Sequence, residues 1–305
     1  MSVIIPVFNA GTTIARSIDS VLAQRFPPRE IIVVDDGSTD DSPDRINAYG
    51  KDVQYLRKPN GGAASARNMG ILQSRCDWVA FLDADDEWEP HRLLAQMSYL
   101  KKHPEILFVF SDMSHYEHGR IVHQSYFAYK GFRVPPTELI WHKLLCDCFI
   151  FTPTVLAKKS VLIEAGLFPE DFRVAEDYYL WLQVAKRYPM GFVDEPLVRR
   201  YKENSSSLTT NIIQMLENKL RIYDWIERDN TDGDIKSLIL RQRLLCKYLI
   251  GYERFKKGED KMARKILFPL IFHGDHSLKS IKAISASFLP EQLRIFLRGL
   301  HNARR

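Results

Sequence analysis

A chain of 305 residues, 45% hydrophobic and 27% charged, has room for one large domain with an extension, or for two domains. Its net charge of +5 is too modest to indicate a nucleic-acid partner, and no apolar run approaches the ~20 residues that cross a bilayer. Cys76, Cys146, Cys148 and Cys246 lack a paired CxxC spacing and read as reduced thiols, and the first strand starts too early to leave room for a secretory leader. A cytoplasmic location is therefore expected.

Val3-Ile4-Ile5-Pro6-Val7 predicts a short apolar strand, followed by a turn at Phe8-Asn9-Ala10-Gly11. Thr12 or Thr13 can cap a helix whose Ile14, Ile18, Val21 and Leu22 recur on one face; Pro27-Pro28 ends it. A second buried strand, Ile31 to Val34, exits into Asp35-Asp36-Gly37-Ser38. Asp40-Asp41-Ser42 then offers caps for a helix with Pro43 at its first position. Val53 to Leu56 gives a third strand. Lys58-Pro59-Asn60-Gly61-Gly62 leads into a helix of small residues, Ala63 to Gly70, which can approach the sheet or a ligand closely. Next, Trp78-Val79-Ala80-Phe81-Leu82 reads as a strand buried on both faces, and it runs into Asp83-Ala84-Asp85-Asp86. A helix from Pro90 places Leu93, Leu94, Met97 and Leu100 on one side. Strand and helix alternate throughout, which argues an α/β fold with a doubly wound, mostly parallel sheet.

Beyond that point the rhythm changes. Ile106 to Phe110 is expected as a strand, His115 to Tyr129 as a hairpin about Glu117-His118-Gly119, and Phe149 to Leu156 as another strand. A short helix follows at Lys159 to Ala165, then an aromatic-rich helix at Glu176 to Tyr188 and short strands at Val193 and Leu197-Val198. From Asn211 amphipathic runs predict helices at roughly 211–227, 234–256 and 259–272. The expected division is 1–210, with halves 1–112 and 113–210, and a helical region 211–305.

The acidic exit of the fourth strand is the chemical focus. Ligands of open α/β sheets bind outside the carboxyl ends of strands, which is where Asp83 and Asp85 fall. Crowded carboxylates repel one another unless a cation neutralises them, and a hard divalent ion shared with substrate phosphates suits oxygen ligands. Read locally, the same residues are a polar turn that starts the next helix, and this stretch alone leaves both readings open.

Five motifs in order resolve the ambiguity: Val3-Ile4-Ile5-Pro6-Val7-Phe8-Asn9; Glu30 to Asp40; Asn60-Gly61-Gly62 with Ala66-Arg67-Asn68; Asp83-Ala84-Asp85; and Glu176-Asp177. Together they resemble glycosyltransferase family 2, inverting enzymes of the GT-A fold, over about residues 2–210. The resemblance implies transfer of a sugar from a nucleotide-sugar donor, with UDP favoured, to a glycan or lipid-linked acceptor in cell-surface polysaccharide synthesis. It implies that Pro6, Val7, Phe8 and Asn9 line the base and ribose and that Asp36 accepts from the uracil N–H. Gly61 and Gly62 let the backbone approach the nucleotide, and Arg67 lies near it. Asp83-Ala84-Asp85 matches the DXD motif: Asp85 would bind Mn or Mg, with Asp83 on the ribose or the metal. Asp177 matches the catalytic base, although Glu176 and Asp177 would also suit a helix N-terminus as charges alone. Glu176, Trp181, Arg200 and Lys202 are further expected contacts to diphosphate or acceptor.

Two departures qualify the match. The Gln-x-x-Arg-Trp signature of processive members is absent, so one sugar is expected per encounter. Lys202 stands where many members carry a histidine, and a protonated lysine cannot ligate a cation. In the tail, six Lys or Arg against two acidic residues from Asp275 onward interleave with apolar residues, so residues 278–305 are expected to contact an anionic membrane, at the inner face of the plasma membrane, or to dock on the catalytic domain. The helical region also offers a surface for self-association. The competing reading is a catalytically inactive sugar-nucleotide-binding subunit of a polysaccharide assembly complex, against which Asp85 and Asp177 both count.

Overall fold

The computed structural model describes residues 1–201, 212–228 and 232–272. The chain divides into two compact units, Met1–Ser205 and Ser206–Arg305. The first unit runs β1 (Ser2–Val7), α1 (Ile14–Leu22), β2 (Glu30–Asp35), α2 (Ser42–Asn47), β3 (Gln54–Arg57), α3 (Ala63–Gln73) and β4 (Trp78–Phe81). It continues with β5 (Glu87–Trp88), α4 (Arg92–Lys102), β6 (Phe108–Glu117), β7 (Arg120–His123), α5 (Tyr126–Tyr129) and α6 (Ile140–Cys146). It closes with β8 (Leu156–Lys158), α7 (Lys159–Glu164), α8 (Glu176–Ala185) and β9 (Met190–Tyr201). The second unit, among the described residues, holds α9 (Ile212–Arg228), α10 (Gly233–Lys256), α11 (Asp260–Leu267) and a tighter helical segment, Phe268–Phe272.

Among the described residues nine strands form one sheet in the order β3-β2-β1-β4-β8-β6-β9-β5, with β7 paired to β6. The first four are all parallel. β8 enters antiparallel to both β4 and β6, β6 and β9 run parallel, and β5 closes the edge antiparallel to β9. This is the doubly wound α/β architecture that the alternation of elements predicts. Strand order reverses at β1, which pairs with β2 on one side and β4 on the other. The crevice at that switch point is where a ligand of such a sheet sits.

Both faces of the central strands are covered, which explains their lack of polar alternation. Val3, Ile4, Ile5, Ile32, Val33 and Val34 are all fully buried. Each such side chain contributes about 1.5–3 kcal/mol by leaving water. α3 lies so close on β1 that a Cβ at Gly70 would stand 2.5 Å from Cγ2 of Ile4. Only glycine fits there, and that approach holds the N-terminus of α3 over the crevice.

Several local expectations are corrected. Phe149 to Leu156 is not a strand: Thr152–Thr154 is a tight helical turn, and only Leu156–Lys158 joins the sheet. The Pro153 and Thr154 carbonyls are taken by side chains from β5 and α4 and the Thr152 carbonyl by the Val155 N–H, so none is left for a ladder. Val193 and Leu197-Val198 belong to one strand, β9, which absorbs Pro196 through register shifts opposite Ser111, Asp112 and Met113. β6 runs on to Glu117 instead of ending at Phe110. Thr13 sits at the N-cap of α1, but its hydroxyl donates to the Ala10 carbonyl (3.3 Å) instead of capping the helix. Among the described residues no helix is long and apolar enough to cross a membrane. Lys202 and the tail 278–305 lie outside the described residues.

Candidate active site

The carboxyl ends of β1, β2 and β4 are tied together by backbone. The Asp36 N–H donates to the Val7 carbonyl (2.8 Å) and the Leu82 N–H to the Ile4 carbonyl (3.1 Å). Side chains then lace the β1 and β2 exits. The Asn9 N–H donates to Ser38 Oγ (3.0 Å), while Asn9 Oδ1 accepts from the Thr39 N–H (2.8 Å). Asn9 has φ of 50°, a left-handed conformation that asparagine tolerates better than most residues. Asp35, fully buried, braces the same loop: it accepts from the Ser38 N–H and the Tyr55 hydroxyl, both at 2.7 Å.

Asp36 is buried and organises the approach to α3. It accepts from Lys58 Nζ (2.7 Å), the Gly61 N–H (2.9 Å) and the Gly62 N–H (2.7 Å). Gly62 needs to be glycine because its φ is +93°. The carboxylate thereby fixes the glycine loop that opens α3, and α3 in turn delivers Arg67.

Arg67 links the two ends of the site. Its guanidinium, 6% exposed, donates to Asp83 Oδ1 and to Glu176 Oε1, both at 2.8 Å. Burial disfavours that charge, but Asp83 and Glu176 more than offset the cost and hold the Arg67 pKa above the ordinary arginine value. Thus residues 109 apart in sequence meet in one charged row, Asp83–Arg67–Glu176, with Asp177 next in the chain. Asp177 Oδ2 accepts from the Thr152 hydroxyl (3.1 Å) and Oδ1 from the Tyr178 N–H (2.7 Å). Burial first, then the Glu176 charge, push the Asp177 pKa up to about 6, against the pull of Arg67 and these hydrogen bonds. Just before them Ala175 has φ of 65°, in the left-handed region that a non-glycine residue enters only under constraint from its surroundings. That kink aims the first turn of α8 at the crevice.

At the β4 exit Asp85 is exposed, yet the protein crowded about its carboxyl and the Asp83 charge both raise its pKa. Asp86 is buried and accepts from the Tyr201 N–H (3.2 Å). Burial, then Asp85 and Asp83, raise its pKa well above the carboxylate range, opposed by Arg200. Arg16 holds the loop from outside: it donates to the Asp85 carbonyl (2.7 Å) and lies over the Tyr201 ring at 3.7 Å.

Comparison with known proteins fits this geometry. The family model described as "Glycosyl transferase family 2" matches residues 2–164. The chain belongs to glycosyltransferase family 2. An uncharacterized glycosyltransferase of Rickettsia bellii is 34% identical over 215 residues, 69% of this chain and 30% of the relative, so the chain spans under a third of that relative's length. The Escherichia coli protein WfgD, a UDP-Glc:alpha-D-GlcNAc-diphosphoundecaprenol beta-1,3-glucosyltransferase, is 30% identical over 231 residues, 74% of this chain and 87% of WfgD. Among solved structures, Staphylococcus aureus TarS 1–349 in complex with UDP-GlcNAc superposes with a TM-score of 0.60 at 19% identity, covering 96% of this chain and 82% of that 1–349 chain. That likeness carries the GT-A fold.

In this family-2 glycosyltransferase the residues marked in the sequence fall into three groups. Asp36, Gly62, Arg67, Asp83, Ala84, Asp85, Glu176 and Asp177 gather about the crevice, and Arg200 is near enough to act electrostatically on Asp85 and Asp86. Phe8 is 51% exposed and Asn9 is exposed at the β1 exit beside half-buried Pro6, whereas the Val7 side chain is core and offers the site only its backbone. Trp181 is not brought to the cleft. It is fully buried against Phe81, Phe108 and Phe168, because the aromatic face of α8 packs onto β4 and β6.

The structure adds Thr152, Arg16 and Lys58, for which no local pattern exists in the sequence. It also tests the fit of a cation. Among the described residues no group of three or more His, Cys, Asp or Glu is arranged to hold a metal ion unaided. Asp85 and Asp83 suit the other arrangement, in which one or two carboxylates share Mg²⁺ or Mn²⁺ with a diphosphate.

Proposed function

We propose that this family-2 member is an inverting, non-processive transferase that moves a sugar from a UDP-sugar to a hydroxyl of a lipid-linked glycan. The observation that carries the reading is Asp177. It is a carboxylate fixed by Thr152 and Tyr178 at the start of α8, tuned toward neutrality, and connected through Glu176 and Arg67 to Asp83. A general base works best with a pKa near the operating pH. In the proposed step the acceptor hydroxyl gives its proton to Asp177 as its oxygen attacks the anomeric carbon. The bond from that carbon to the phosphate oxygen breaks on the opposite face, its electron pair leaves with the nucleoside diphosphate, and configuration inverts.

The remaining residues take roles around that step. Phe8, Asn9 and Pro6 receive the base and ribose, with Asp36 below them holding Gly61 and Gly62 so that the backbone lies close to the nucleotide. Asp85 with Asp83 would hold a divalent ion, which when bound offsets the charge developing on the diphosphate. Arg200 faces the same charge. Arg67 fixes Asp83 relative to the base, so donor and base keep one geometry. The choice of UDP and of a lipid-linked acceptor is supported by WfgD, whose name states both. A lipid-linked acceptor would bring the enzyme to a membrane surface, where the basic, apolar residues of 278–305 would supply contact.

The test is transfer from UDP-glucose to a synthetic α-GlcNAc-diphospholipid, with calorimetric UDP binding measured alongside. Asp177→Asn is expected to lower turnover by about 10²–10⁴-fold while leaving UDP affinity unchanged. Near-normal turnover in that variant would remove Asp177 from the role of base.

A further inference from the structure

On the β6–β9 side of the crevice, aromatic rings occur in two layers. The lower layer is core: Phe110, Phe127 and Phe149 are buried and pack with Phe132 and Phe192. The upper layer, Tyr129, His123, Tyr126 and Phe151, runs from an exposed ring to half-buried rings that rest on the core. Tyr129 is 55% exposed and stacks on His123, with centroids 3.5 Å apart and planes 14° off parallel. Tyr126 lies 6.5 Å from Tyr129 and meets Phe151 edge-on at 5.1 Å. The Arg200 guanidinium lies 5.8 Å from the Phe151 ring. Phe151 is followed by Thr152, whose hydroxyl donates to Asp177. An unbroken aromatic row therefore runs from open surface to the residue beside the base.

The row is held in place by a buried charge. Asp112, 3% exposed, accepts from the Ser125 hydroxyl (2.5 Å), the Met113 N–H (2.7 Å) and the Phe127 N–H (3.2 Å). A buried carboxylate is costly unless hydrogen-bonded in this way, and here it anchors the four residues of α5 to β6. That anchoring fixes the two tyrosines of α5, Tyr126 half-buried against the core and Tyr129 exposed.

We propose that Tyr129, His123, Tyr126 and Phe151 form a platform for the glycan part of the acceptor, guiding its terminal hydroxyl to Asp177. The proposal rests on the reading of the chain as a glycosyltransferase and names the surface that the acceptor occupies. A pyranose presents one face of C–H groups whose slightly positive hydrogens match the negative face of an aromatic ring, and a rim of hydroxyls for tyrosine and arginine. Continuity with the base selects this occupant over a lipid chain, which has no hydroxyl to deliver.

Saturation-transfer NMR on the full chain with saturating UDP tests it, using N,N′-diacetylchitobiose, lactose and maltose as probes. At least one disaccharide is expected to bind, and Tyr129→Ala and Tyr126→Ala are each expected to weaken it by about fivefold to tenfold. Tyr129→Phe keeps the ring and is expected to keep most of the binding. UDP affinity, measured by calorimetry, is expected to stay level across the variants and reports that the fold is intact; Tyr129 is exposed, so its truncation opens no cavity. Equal disaccharide binding by wild type and both alanine variants, or none in a protein that binds UDP, would overturn the platform while sparing the glycosyltransferase reading. Failure of the wild type to bind UDP would instead overturn the reading beneath it.

Discussion

Asp177 is asked to be two things at once, and the conflict has measurable consequences. Its folded pKa of about 6 lies above the ordinary carboxylate value of 3.8, so folding favours its protonated form. A group shifted this way supports the fold at low pH and opposes it as pH rises through 6. The ionised carboxylate, the form the proposed base must take, therefore costs stability. Asp177→Asn, which removes the charge, is expected to raise the melting temperature by roughly 2–5 °C at pH 7.5, with the gain shrinking at pH 5. A scanning-calorimetry comparison at the two pH values checks both signs. Arg67 shows the opposite balance. Removing it strands Glu176 and Asp83, so Arg67→Ala is expected to cost about 3–5 kcal/mol in a urea titration and to abolish transfer. Arg67→Lys is expected to fail as well, since one ammonium lacks the planar fork that reaches both carboxylates. Family resemblance marks Arg67 and Asp177 in the sequence, and the structure brings both to one crevice. Their ion-pair row was not legible there, since it joins residues 109 apart.

Among the elements, the turn at Thr152–Thr154 carries the hydroxyl that meets Asp177. Trp88 Nε1 donates to the Pro153 carbonyl (3.1 Å), and Arg92 to the carbonyls of Pro153 and Val155 (both 3.0 Å). Gln96 donates to the Thr154 carbonyl (2.8 Å). Arg92 is fully buried, its guanidinium 3.7 Å from the Trp88 ring, and burial pulls its pKa well down. These donors hold Thr152 where its hydroxyl meets Asp177. The Thr152 hydrogen bond favours the charged Asp177 carboxylate, so, with Asp177 as the proposed base, Thr152→Val is expected to move the acid limb of the kcat/KM profile to higher pH, and Thr152→Ser to restore it. An unmoved limb in Thr152→Val would make Thr152 a packing residue only. The run Phe149 to Leu156 carries the β-branched and aromatic content of a strand, and nothing local reveals that donors some 60 residues away claim its carbonyls. β9 was legible only in pieces for a related reason: Pro196 reads as a break, and the register shifts that accommodate it belong to the pairing with β6. By contrast α3 was legible outright, because its small residues state how closely it packs. Gly70→Ala there is expected to destabilise the fold by about 1–3 kcal/mol, measured by chemical denaturation.

For the whole molecule, the switch of strand order at β1 brings the exit of β1, the acidic exits of β2 and β4 and the first turn of α8 to one crevice. That arrangement follows from buried strands and short parallel crossovers, which is why the fold class could be read from pattern alone. The second unit contributes amphipathic helices whose pattern was equally plain, while the role of 278–305 is a matter for vesicle-binding measurements on the full chain. We propose that the crevice holds a nucleoside diphosphate through Asp85 and a shared cation. Calorimetric titration of the full chain with UDP in Mn²⁺ and again in EDTA tests it most directly, with Asp85→Ala measured in parallel. Binding in Mn²⁺ that weakens by roughly 10–100-fold in EDTA, and to a similar degree in Asp85→Ala, is the predicted result. UDP affinity that is the same with and without the metal, and unmoved by Asp85→Ala, would contradict it.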